Sequence, residues 1–85
     1  MLIPYRTERF NAQLKALKGD KAIVVKIFRL VSDACEHPFS GLGKPEPLKH
    51  GMAGLWSRRI DKKNRLIYEV VKPDLILLSC IGHYD

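Results

Sequence analysis

Hydrophobic periodicity changes character once along this chain, and the change falls at a segment that neither a helix nor a strand crosses easily. Between Pro38 and Gly54 lie three prolines, Pro38, Pro45 and Pro47, and four glycines, Gly41, Gly43, Gly51 and Gly54. Before this segment, apolar residues recur at helical spacing. After it they alternate or run in short branched blocks, the pattern of strands. A chain of this kind must fold as helices first and a sheet afterwards, with the proline-glycine segment between them. A connection of that length inside a small domain either carries function or lacks order, and its prolines favour an ordered, functional loop.

Thr7 can cap a first helix whose apolar residues Phe10, Leu14 and Leu17 fall at i, i+4 and i+7, with Gly19 ending it. Asp20 caps a second. Its stripe runs Ile23, Ile27, Leu30, Val31 and Ala34, widened by Val24 and Phe28, while Lys21, Lys26 and Arg29 face water. Pro38 stops that helix at Glu36 or His37. So short a link predicts an antiparallel helical hairpin. Residues 55–60, 66–71 and 75–81 read as strands separated by the turn sequences Asp61-Lys62-Lys63-Asn64 and Lys72-Pro73-Asp74. Leu2 to Tyr5 reads as a short first strand that Pro4 confines to an edge. The expected fold is α+β: one domain over residues 1–85, with two N-terminal helices as a hairpin on one face of a small antiparallel sheet of three to five strands. The other face is left for a ligand.

Eighty-five residues give a marginal core that a partner chain can help to stabilise. Cys35 and Cys80 are too few and too scattered for a disulfide framework or a zinc site, so both are expected as buried thiols in a reducing cytosol. The longest aliphatic run, Leu75 to Leu78, is far short of a membrane span, and a cytoplasmic protein without membrane contact is expected. The net charge is +6, unevenly placed: residues 1–43 carry +3, residues 44–65 carry +5 and residues 66–85 carry −2. A field concentrated in 22 residues points to a polyanionic partner, with nucleic acid foremost.

Glu46 stands between two prolines and between Lys44 and Lys49, so it is an acid pre-aimed in basic surroundings. RNA cleavage without metal needs a base for the 2′-hydroxyl, a cation for the phosphorane and an acid for the leaving 5′-oxygen. Glu46, Arg65 and His83 are candidates for those parts in that order, with Arg59 as a second phosphate fork and Tyr84 as a stacking or hydrogen-bonding group. Two-metal chemistry would need clustered acids, and the basic segment offers only Glu46 and Asp61. No metal or other cofactor is expected.

Each residue also has a plainer reading. A glutamate between prolines is commonly a solvated loop residue, and Arg58-Arg59 on a strand edge is commonly a device against aggregation. His37 and His50 read as loop residues, and Trp56 as core or rim packing. Strand parity adds a constraint. A four-residue turn from Asp61 to Asn64 would pair Ile60 with Arg65 and send Arg59 to the opposite face. For both arginines to reach one phosphate, a bulge or an odd-length loop is required there.

The succession Pro38-Phe39, Gly43-Lys44-Pro45-Glu46-Pro47-Leu48-Lys49, Gly54-Leu55-Trp56-Ser57-Arg58-Arg59-Ile60, Arg65-Leu66-Ile67-Tyr68 and His83-Tyr84 resembles the YoeB/Txe family of bacterial toxins, relatives of RelE. The resemblance implies an mRNA endoribonuclease acting in the ribosomal A site, held inactive by a YefM-type antitoxin and commonly dimeric. By the same resemblance Glu46 is the general base, His83 the general acid and Arg65 the arginine that stabilises the phosphate. Lys49, Arg59 and Tyr84 bind and orient the RNA. Three departures from the family pattern stand out: Asn64 where many relatives have histidine, Ile81-Gly82 where an arginine often precedes His-Tyr, and Asp85 as an extension.

Two physical consequences follow from the charges. Asp85 and the terminal carboxylate favour the charged, proton-donating form of His83, whereas the cations around Glu46 weaken it as a base until RNA phosphate neutralises them. The free protein should therefore cut naked RNA slowly. The competing readings are a non-catalytic binding member of the wider RelE/ParE superfamily and a basic RNA-binding module, both acting with an antitoxin.

Overall fold

The computed structural model describes residues 1–82. Its elements, in chain order, are β1 (Ile3–Arg6), α1 (Glu8–Ala16), α2 (Lys21–Glu36), β2 (Glu46–Pro47), β3 (Leu55–Arg59), β4 (Arg65–Val71) and β5 (Asp74–Ser79). Both expected caps are present: the Thr7 hydroxyl accepts from the Phe10 N–H and the Asp20 carboxylate from the Ile23 N–H. Each side chain satisfies a first-turn donor that the helix itself cannot.

One five-stranded sheet runs in the order β1-β5-β4-β3-β2. Three of its pairings are antiparallel, but β1 lies parallel to β5, with Ile3 opposite Asp74 and Arg6 opposite Leu77. The sheet is therefore mixed, which corrects the antiparallel expectation. The chain leaves β1 through two helices and re-enters the sheet at the opposite edge, so the first strand is free to pair with the last in either sense. Pro4 sits on an edge strand as its missing N–H requires. The helical hairpin also needs correction. The short Leu17–Asp20 link is present, but the helices are organised by the sheet, α1 lying against β5 and α2 reaching β1.

One core joins the layers. Phe10 and Leu14 of α1 and Ile27, Leu30, Val31 and Ala34 of α2 meet Leu66, Tyr68, Leu75 and Leu77 of the sheet. Removing side chains as large as Phe10 or Leu30 from water contributes about 2 kcal/mol each. Trp56 packs at the rim of that core, with its ring centroid 4.8 Å from that of Phe39. Cys35 and Cys80 are free and buried, as expected. The last strand stops two residues sooner than its apolar run, because the Gln13 side-chain oxygen takes the N–H groups of Cys80 and Ile81. Among the described residues no helix is long and apolar enough to cross a membrane.

Candidate functional site

Construction of the site begins at Arg58, which points away from it. This side chain is fully buried, and its guanidinium donates from all three nitrogens. Nε donates to the Tyr68 hydroxyl at 3.0 Å, Nη1 to Asp33 Oδ2 at 2.6 Å and to the Leu42 carbonyl at 2.9 Å, and Nη2 to the carbonyls of His37 and Ser40. The Tyr68 hydroxyl in turn donates to the Pro38 carbonyl at 2.7 Å. Residues 37–42 are thus wrapped around a buried cation. Reading Arg58 as an exposed guard against aggregation is wrong, because alternation along β3 turns it inward while sending Arg59 outward.

The wrapped loop delivers the chain to Gly43, whose carbonyl accepts from the Arg59 N–H at 2.7 Å. Gly43 has φ +78°, and a Cβ there would come within 2.9 Å of the Leu30 side chain and 3.1 Å of the Arg59 carbonyl. Only glycine fits without strain. Lys44 follows at φ 52°, and after Pro45 the pair Glu46 and Pro47 forms β2, with Glu46 facing Ser57 and Pro47 facing Trp56 on β3. The proline-braced acid is held in a strand, as its neighbours predict.

Across the sheet, Arg59 of β3 is directly opposite Arg65 of β4. The connection is five residues long, Ile60 to Asn64, closed by bonds from the Ile60 and Asp61 N–H groups to the Asn64 carbonyl at 3.0 and 3.2 Å. The odd-length loop that parity requires is present, and the two arginines share a face. Row by row, Glu46, Ser57 and Ile67 face one another across the neighbouring register positions. A second irregularity falls between Ile67 and Tyr68, where Leu78 is the extra residue of β5.

On this face Arg65 Nη1 lies 3.4 Å from Glu46 Oε1. The pair opens to water on the Glu46 side, whose side chain is 62 % exposed against 25 % for Arg65. Such an ion pair is weakly held and exchangeable, so an incoming phosphate can take the guanidinium and release the carboxylate. The cleft around the pair has a volume of 190 Å³ and is also lined by Lys49, His50 and Ser57. Lys44 and Arg59 border a larger neighbouring groove of 570 Å³ against α2, together with Val25, Lys26, Arg29 and Leu42. The structure therefore brings Glu46, Lys49 and Arg65 together and sets Lys44 and Arg59 beside them. His83, Tyr84 and Asp85 lie outside the described residues. Among the described residues no three His, Cys, Asp or Glu side chains gather into a group able to hold a metal ion.

Two lining residues were not singled out from sequence. Ser57 is buried, and its hydroxyl is without a hydrogen-bond partner among the described residues. Its position opposite Glu46 becomes readable once β2 is recognised as a strand. His50 adopts φ 58°, a left-handed conformation uncommon for a side-chain-bearing residue and enriched at functional sites.

Residues 5–84 match the family described as YoeB-like toxin of bacterial type II toxin-antitoxin system. Toxin YoeB of Escherichia coli (strain K12) is 43 % identical over 84 residues, covering 99 % of this chain and 100 % of that one. The YoeB dimer from Staphylococcus aureus superposes with a TM-score of 0.90 at 33 % identity, covering 98 % of each chain. The YoeB-YefM complex from Staphylococcus aureus matches with a TM-score of 0.86 at 31 % identity, covering 99 % of each chain. With the family matched almost from end to end, and relatives above 30 % identity over their whole length, this chain belongs to the YoeB-like toxins of bacterial type II toxin-antitoxin systems.

Proposed function

We propose that this toxin is a ribosome-dependent mRNA endoribonuclease that cuts by acid-base attack of a 2′-hydroxyl on its own 3′-phosphate. The carrying observation is the Glu46–Arg65 pair at 3.4 Å, an acid and a phosphate fork facing each other across one small cleft. Glu46 takes the proton from the 2′-hydroxyl as the 2′-oxygen bonds to phosphorus. Arg65 holds the charge that builds on the non-bridging oxygens. The 5′-oxygen leaves with a proton from His83, giving a 2′,3′-cyclic phosphate on one fragment and a 5′-hydroxyl on the other. Lys49 and Arg59 hold the RNA backbone, Lys44 adds positive field and Tyr84 orients a base. No step calls on a bound cofactor.

In the free protein the base and the fork occupy each other. Substrate phosphate must draw Arg65 away before Glu46 can act, which predicts slow attack on naked RNA and favours mRNA held in the ribosomal A site. An acidic, partly disordered YefM-like antitoxin complements the +5 segment, and a homodimer is the working form, in the cytoplasm. The Staphylococcus aureus relatives, one a YoeB dimer and one a YoeB-YefM complex, support these partners.

Purified toxin added to a programmed ribosome tests the reading, with the cut ends read by primer extension. Cleavage should fall at least about 100-fold in Glu46→Gln and in His83→Ala while ribosome binding persists. Parent-level cleavage by both variants would overturn the roles of Glu46 and His83, and toxicity in cells that survives both substitutions would favour a non-catalytic binder.

A further inference from the structure

Three consecutive N–H groups lead up to His83, and each is held by a side-chain amide oxygen. Gln13 Oε1 accepts from Cys80 at 2.6 Å and from Ile81 at 3.2 Å, and Asn64 Oδ1 accepts from Gly82 at 2.9 Å. The Gly82 carbonyl is also taken, by the Arg65 N–H at 2.8 Å. Both polar backbone groups of Gly82 are therefore fixed by two adjoining residues, one of which is the phosphate fork. Gly82 has φ +80°, a turn that sends the chain onward in a direction only glycine adopts readily.

Asn64 is itself rigidly set. Its N–H donates to Asp61 Oδ1 at 2.8 Å, and its Nδ2 donates to Asp61 Oδ2 at 3.2 Å. Its carbonyl closes the β3–β4 connection through Ile60 and Asp61. With the Nδ2 so committed, Oδ1 is left to accept from Gly82. Two of the three departures from the family pattern, Asn64 and the Ile81-Gly82 dipeptide, are in direct contact.

Resting on the nuclease reading above, we propose that Asn64 is a positioning residue for the general acid, fixing the point from which His83 departs in register with Arg65. Two hydrogen bonds on Gly82 hold both its position and its rotation, whereas one alone leaves a pivot. An acid must come within hydrogen-bond reach of the leaving oxygen while Arg65 grips the same phosphate, so a small rotation at Gly82 is costly.

The test compares two RNA substrates on the programmed ribosome: ordinary RNA, and RNA with sulfur in place of the 5′-bridging oxygen at the cleaved position. A thiolate leaves without needing a proton. Asn64→Ala should cut the oxygen substrate about tenfold more slowly at unchanged KM, and the sulfur substrate at the parent rate. His83→Ala should likewise be rescued by sulfur. Parent rates for Asn64→Ala on both substrates, or an equal loss on both, overturn the positioning role alone. Failure of sulfur to rescue His83→Ala overturns the acid assignment and the positioning role with it.

Discussion

The Arg58 guanidinium and the Asp33 carboxylate meet at 2.6 Å beneath the loop that carries Glu46, one partner fully buried and the other largely so. Asp33 belongs to α2 and Arg58 to β3, so the pair ties a helix to a strand and, through the carbonyls of His37, Ser40 and Leu42, folds the intervening loop. The loop's shape is thus set from the core side, away from the cleft that Glu46 and Arg65 line.

Asp33→Asn leaves that buried cation without its counter-charge. The expected loss is about 3 kcal/mol of unfolding free energy, as for other buried pairs broken on one side. Urea unfolding of both proteins measures it, and a loss below about 1 kcal/mol would show the pair to be incidental.

The same contact makes stability depend on acid. The Leu42 N–H, and then Arg58, hold the Asp33 carboxyl below its ordinary value of 3.8. A carboxyl lowered in the folded state stabilises the fold above its unfolded value, and that stabilisation is lost as pH falls through the folded one. The melting temperature should decline as pH drops below about 4, and less steeply in Asp33→Asn.

Arg65→Lys keeps a cation beside Glu46 but loses the planar fork that spans two phosphate oxygens. Under the proposed chemistry kcat should fall about 10- to 100-fold with the fold intact. Single-turnover cleavage on the ribosome, with a thermal melt as the folding control, decides it. A KM change at constant kcat would place Arg65 in binding alone.

Cys80 is fully buried, and burial pushes its thiol up to about 11. An acid raised in the folded state weakens the fold wherever the unfolded chain ionises first. Stability should therefore drop as pH rises above the ordinary thiol value of 9.0, levelling near 11. At pH 8 the native protein should resist alkylation at Cys80 and react only in denaturant. Rapid labelling of the folded protein would contradict this.

Periodicity and punctuation carried most of the fold. The caps at Thr7 and Asp20, the edge position of Pro4 and the strands after Gly54 all follow from local chemistry. What local chemistry leaves undetermined is the sense of a pairing between residues more than 65 apart, so β1 against β5 had to be seen. Within the site, Glu46, Lys49 and Arg65 were legible because charge and proline isolate them. The five-residue connection was legible as well, because parity forces it once Arg59 and Arg65 must share a face. Arg58 was misread for a definable reason. An arginine doublet looks like surface until the loop carbonyls that saturate its inner member are known. Ser57 gained meaning only from Glu46 across the sheet, His50 from its backbone conformation and Asn64 from its hydrogen bond with Gly82.

The short strand β2 is the outer rim of the sheet, and Pro45 and Pro47 leave it without amide hydrogens at two of three successive positions. A foreign chain seeking a partner there finds too few donors to zip onto. The residues that aim Glu46 therefore also keep this border blunt, a poor template for edge-to-edge stacking of copies.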